Sequence, residues 1–128
     1  MTMNINLIGV TIALVLVSTH ATAAWKEFDR SGATSFYIDL ETLKINGDKR
    51  MVWTLVEAKT PDGSISVGAQ MEFDCVNEIE RTLAAGSYSE PMGRGVFKRT
   101  DAIFPDWKAV APGTVSYKRM QAACISRR

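Results

Sequence analysis

Ile65-Ser66-Val67-Gly68-Ala69-Gln70-Met71-Glu72-Phe73-Asp74-Cys75 alternates without a break. Ile65, Val67, Ala69, Met71, Phe73 and Cys75 fall on one side of an extended chain, and Ser66, Gly68, Gln70, Glu72 and Asp74 on the other. A period of two marks a strand with one buried face, as in an antiparallel sheet. The pattern predicts that Val67, Met71 and Phe73 are core, that Gln70 faces solvent, and that Cys75 can reach whatever packs over the sheet.

Upstream, Thr60-Pro61-Asp62-Gly63 is a reverse turn. The strand before it, Arg50 to Lys59, turns Met51, Trp53 and Leu55 one way and Val52, Thr54 and Val56 the other. It is apolar on both faces, which predicts a central strand. Asn46-Gly47 is a hairpin signal, because both residues tolerate positive φ. Ser35 to Asp39 reads as a strand, Leu40 to Ile45 as a short extended or turn-like piece, and Trp25 to Phe28 as the opening of the sheet. Downstream, Val76 to Ala85 fits helical and strand spacing alike. Gly86 to Gly95 reads as loop and Val96 to Asp101 as strand. Thr114 is placed to cap a helix from Val115 to about Ser126, on which Tyr117, Met120 and Cys124 form one apolar stripe.

The chain has 128 residues, 46% of them hydrophobic and 23% charged, which fits one globular domain. No charged side chain occurs before Trp25. Leu7 to Val17 is an apolar run, too short for the roughly 20 residues of a membrane span. Ala21-Thr22-Ala23 then offers small residues at the spacing a signal peptidase accepts. Residues 1–23 are therefore predicted to be a signal peptide and 24–128 a single domain; an uncleaved N-terminal anchor, the one route to a membrane, is the alternative. No cysteine lies near the cleavage site, so a lipoprotein is not expected, and the destination is the periplasm, the cell surface or the medium. In an oxidising compartment Cys75 and Cys124 have one intramolecular pairing. Closing a loop of about 50 residues would contribute roughly 4 kcal/mol; two free thiols or an intermolecular bridge are the alternatives. The elements together predict an α+β fold, an antiparallel sheet with a C-terminal helix packed on one face and tethered by the disulfide.

The lone histidine, His20, falls in the segment predicted to be removed. Histidine-dependent nucleophilic sites and most zinc sites go with it. Gly93-Arg94-Gly95 is a lone G-x-G and no evidence of nucleotide binding. Asp39/Glu41, Glu72/Asp74 and Glu78/Glu80 are carboxylate pairs at strand spacing, which a glycosidase could use. The solvent face of a sheet accounts for them without any chemistry. No catalytic residue, metal ligand or cofactor is predicted. Net charge is only +1, but it is unevenly spread: Trp25 to Glu80 holds six basic and eleven acidic residues, Arg81 to Arg128 nine and three. Arg94, Lys98 and Arg99 form a candidate binding patch for a polyanionic surface. The alternative is internal complementarity between an acidic and a basic half, or across a homodimer. Nucleic acid is not expected as a partner of an exported chain. Trp53, Trp107, Phe36 and Tyr37 read as core, with an exposed aromatic surface as the alternative, and Trp25 reads as the aromatic with most exposure.

Trp25, Phe36-Tyr37-Ile38-Asp39, the Asn46-Gly47 turn leading into Trp53, and Phe73-Asp74-Cys75 followed by Arg81 occur in that order. Trp107, Val110, Pro112-Gly113-Thr114 and Cys124 complete the series. This ensemble resembles the surface-adhesin protein E family of Gram-negative bacteria. The resemblance implies a sheet of about six antiparallel strands with a C-terminal helix tethered across it, and a strand over Arg81 to Ala85. It also implies a non-enzymatic envelope protein that attaches to host matrix proteins. A periplasmic small-ligand carrier, or an inhibitor of a periplasmic enzyme, is the alternative function.

Overall fold

A computed structural model describes residues 2–3, 8–16, 23–101, 103 and 105–125. His20, most of the predicted cleavage motif, Arg127, Arg128 and the expected helix end at Ser126 lie outside the described residues. The strands are β1 (Lys26–Ser31), β2 (Thr34–Asn46), β3 (Lys49–Thr60), β4 (Gly63–Asp74), β5 (Ile79–Glu90), β6 (Arg94–Arg99) and the two-residue β7 (Lys108–Ala109), and α1 (Val115–Ile125) follows. Neighbouring strands pair antiparallel in chain order from β1 to β6, and β7 pairs with the start of β5. β3, apolar on both faces, is interior as predicted, between β2 and β4.

The turns follow local chemistry. Gly47 has φ 58° between β2 and β3, a left-handed conformation that glycine adopts without a Cβ penalty. Within β2 the register against β3 shifts between Asp39 and Lys44. There the Thr42 hydroxyl donates to the Asp39 carbonyl at 2.7 Å and accepts from the Trp53 N–H at 3.0 Å. A side chain thus replaces a ladder bond, and Leu43 within the irregular stretch is buried. Thr114 caps α1, its Oγ1 accepting from the Tyr117 N–H at 3.2 Å.

Pairing of Val52 with Met71, and of Arg50 with Phe73, puts Val52, Met71 and Phe73 on one sheet face. They form one buried cluster with Ile38, Leu43 and Val110, and with Met120 and Ala123 of α1. Cys75, just beyond β4, is bonded to Cys124 near the end of α1.

Two expectations need correction. The alternation of β4 does not produce one buried and one wet face along its length. Ile65 is 52% exposed and Val67 only half-buried, whereas Ser66 on the opposite face is 3% exposed. The outer end of β4 buries its other face because the tip between β5 and β6 folds over it: the Gly93 N–H donates to Ser66 Oγ at 2.9 Å. Secondly, Gly86 to Gly95 is not a loop. β5 runs on to Glu90, and only residues 91–93 turn. Its glycines answer to space. A Cβ on Gly86 would lie 2.4 Å from the Lys98 carbonyl oxygen and 2.5 Å from the Phe97 ring.

Candidate binding site

In the basic second half of the chain, three cations are paired with acids of the first half. Lys118 on α1 meets Asp29 of β1 at 3.1 Å, Arg119 on α1 lies 3.9 Å from Glu80 of β5, and Arg81 donates through Nε to Glu72 of β4 at 2.7 Å. Each pair joins a cation of the basic half to an acid of the first half. Arg81 also lies 4.5 Å from the centre of the Trp107 ring, a cation–π arrangement. Burial pulls the Arg119 guanidinium below its ordinary pKa, and Glu80 opposes that pull.

Arg94, Lys98 and Arg99 are different. All three are exposed on β6, and among the described residues none has an ion-pair partner. They do not share one face. Lys98 pairs with Ser87 and Arg99 with Gly86, so neighbouring cations point to opposite sides of an edge strand. Arg94 stands opposite Glu90, beyond a register irregularity. Gly95 beside it has φ 78°, and a Cβ there would fall 2.2 Å from Ser89 Oγ. The backbone needs glycine at that point for both reasons.

The sheet face opposite the Val52–Met71–Phe73 cluster carries the aromatic residues Trp53, Tyr88 and Phe97. Phe97 meets Trp53 edge-on at 6.0 Å and Tyr88 at 4.9 Å between ring centres. Burial raises the Tyr88 pKa. Trp25, expected to be the most exposed aromatic, is half-buried, its indole nitrogen 3.0 Å from the ideal Cβ position of Gly93.

Towards the outer ends of β2, β3 and β4 this face opens into a cavity of about 870 Å³. Register aligns Arg30 with Ser35, Ser35 with Glu57, and Glu57 with Ser66 across four strands. Tyr37, Lys59 and Ser64 line the same space, and Met92 of the β5–β6 tip lies over it. Glu57 is 8% exposed, and its Oε2 accepts from the Met92 N–H at 3.1 Å. Among the described residues its other carboxylate oxygen has no hydrogen-bond partner. Met92 holds φ 58°, an uncommon conformation outside glycine. Sequence reading passed over Glu57. The available signal was an acid between Val56 and Ala58 in a strand apolar on both faces.

Of the carboxylates flagged in pairs, Glu72 and Glu80 are in the ion pairs above, and Asp39 and Asp74, which are buried and not on a wet face, hold turns. Asp39 accepts from the N–H groups of Ala24 and Glu41. Asp74 accepts from the N–H groups of Asn77 and Val76 and from the Asn77 side-chain amide. These bonds, those of Asn77 first, hold the Asp74 pKa below the usual carboxylate value. Among the described residues no cluster of three or more His, Cys, Asp or Glu could hold a metal ion, and no helix is long and apolar enough to cross a membrane.

A meander of six antiparallel strands closed by one disulfide-linked C-terminal helix is the architecture of a known class of bacterial surface protein. The chain belongs to the surface-adhesin protein E family, whose model matches residues 25–125. Solved structures of Haemophilus influenzae protein E share the fold. The selenomethionine form is 17% identical with a TM-score of 0.66, covering 84% of this chain and 91% of that one. A second crystal form is 17% identical with a TM-score of 0.62, covering 82% and 97%. Protein E from a non-typeable strain is 16% identical with a TM-score of 0.62, covering 84% and 80%. No curated protein sequence matches the chain.

Proposed function

We propose that this protein is an exported, non-enzymatic binding domain of the bacterial envelope that attaches to host matrix proteins or other polyanionic surfaces. Membership of the surface-adhesin family across residues 25–125 carries this reading. Residues 1–23 act as the signal peptide and 24–128 form the domain. In support, Ile8, Val10, Ile12, Leu14, Val15 and Leu16 are all exposed and belong to no element of the fold. α1 lies across the sheet face that carries Val52, Met71 and Phe73, leaving β6 as an edge.

The contact surface is that edge. Arg94, Lys98 and Arg99 are the cations of that strand, and none is used in holding α1 or β5 in place; an edge strand can offer both its faces to one extended partner. Cations on both sides suit a polyanion lying along the strand. The test measures capture of the protein on immobilised heparin and on matrix proteins, at low and at physiological salt. Lys98→Ala/Arg99→Ala should weaken capture, most clearly at low salt, where screening is least. Its melting temperature should stay within a degree or two of wild type, because exposed charges contribute little to folding. Undiminished capture by a folded variant refutes the assignment of the edge.

A further inference from the structure

The cavity beneath the β5–β6 tip has the size of a small-molecule site, for which roughly 300–1,000 Å³ is usual. Its central feature is Glu57, a carboxylate on an interior strand and 8% exposed. A buried carboxylate is costly unless its oxygens receive hydrogen bonds. The Met92 N–H supplies one oxygen, and the second has no partner among the described residues. That second oxygen is not a buried atom: it opens to the cavity, where a ligand can donate to it.

The rest of the lining narrows the class of donor. Two cations, Arg30 and Lys59, face two acids, Glu57 and Asp62, so the wall carries no net charge. Arg30 is already bound to Glu27 at 2.9 Å. Lys59 is exposed and has no ion-pair partner among the described residues. An anionic ligand would meet Glu57, and a cationic one would meet Lys59. A neutral ligand with many hydroxyl groups meets neither penalty: its hydroxyls donate to Glu57 and accept from Lys59. Ser64 adds a group of either sense, and the Tyr37 ring offers an apolar surface for the C–H face of a sugar.

We propose that the cavity bounded by Tyr37, Glu57, Lys59, Ser64 and Met92 is a binding site for a neutral saccharide, with Glu57 accepting hydrogen bonds from sugar hydroxyls. The site is separate from the β6 cations and does not depend on the polyanion reading.

The test is saturation-transfer NMR on the purified protein with glucose, galactose, mannose, N-acetylglucosamine, lactose and chitobiose, followed by titration of any sugar that responds. At least one should bind with a dissociation constant in the millimolar range or tighter. Glu57→Gln keeps an oxygen for the Met92 N–H and removes the charge, and should weaken binding about tenfold, since charged acceptors make the stronger hydrogen bonds. Lys59→Ala, at an exposed position, should weaken it several-fold, and it decides the matter alone if Glu57→Gln fails to fold. Lys98→Ala/Arg99→Ala should leave it unchanged, which separates this site from the polyanion surface. The proposal is overturned if no sugar of the panel binds up to about 20 mM. It is equally overturned if a sugar binds wild type, Glu57→Gln and Lys59→Ala alike.

Discussion

Replacing Gly86 with alanine should be strongly destabilising, although Gly86 lies in a strand with no positive φ. In an open strand such a change favours folding by about 0.4–1 kcal/mol, because alanine restricts the unfolded chain. Here the added Cβ would sit 2.4 Å from the Lys98 carbonyl oxygen and 2.5–2.6 Å from two atoms of the Phe97 ring. The carbonyl belongs to the paired strand and cannot swing aside, so relief requires β6 to move away from β5. Overfilling of a packed site costs about 1–3 kcal/mol, and a backbone clash belongs at the upper end. The net loss should be about 2 kcal/mol. Gly68 is the control. Its Cβ would meet Tyr88 Cε2 at 2.7 Å, but only side-chain atoms of Tyr88 are involved, and that ring is half-buried and can turn. Gly68→Ala should fall within about 1 kcal/mol of wild type. Urea unfolding followed by tryptophan fluorescence measures both. A Gly86→Ala protein as stable as wild type, or less affected than Gly68→Ala, would refute the close packing of β6 on β5.

Three other outcomes are expected. Cys75→Ala/Cys124→Ala should lose about 4 kcal/mol on the chain-entropy estimate for a separation of 49 residues, and non-reducing peptide mapping of the oxidised protein should find the two cysteines linked. Phe73→Ala, at a fully buried site, should cost about 3–5 kcal/mol, whereas Ile65→Ala on the same face, 52% exposed, should cost well under half of that; denaturant midpoints compare them. Asp74 has a depressed pKa in the folded state, so its stabilising effect is full above the unfolded value of about 3.9 and is lost as pH falls through the folded value. Asp74→Asn should therefore be less stable than wild type at pH 7, and thermal melts of the two should converge as acid protonates Asp74.

Local rules made much of the fold legible. The Asn46-Gly47 turn, the two apolar faces of β3 and the Thr114 cap each depend on near neighbours in sequence, and each stands as read; the β4 alternation marks the strand and the burial of its inner end, Met71 and Phe73, but not the burial at its outer end. The errors arose where distant residues decide. Ser66 looks solvent-facing by period alone, and only the returning β5–β6 tip buries it. Gly86 and Gly95 look like loop residues because composition records the lack of a side chain and not the ring or hydroxyl filling its place. The candidate site divides in the same way. Exposure of Arg94, Lys98 and Arg99 could be expected of any lysine or arginine, and a strand puts Lys98 and Arg99 on opposite faces, but the place of that strand at the sheet edge depended on the pairing order. Glu57 was missed because an isolated acid in an apolar strand gains meaning only when four strands and a turn enclose it.

Strand order that follows chain order has a consequence for how the protein is assembled. From β1 to β6 each strand pairs with the one made just before it, across turns of a few residues, so the sheet can zip up through short loop closures. β7 reaches back to the start of β5, and α1 travels furthest: it gathers beside Ile38, Val52, Met71 and Phe73, and Cys124 reaches a partner 49 residues earlier. The Cys75–Cys124 bond thus ties α1 to a sheet whose strands can pair without it. If α1 docks last, oxidation of this pair marks the completion of folding, and a chain stalled earlier carries both thiols open to alkylation.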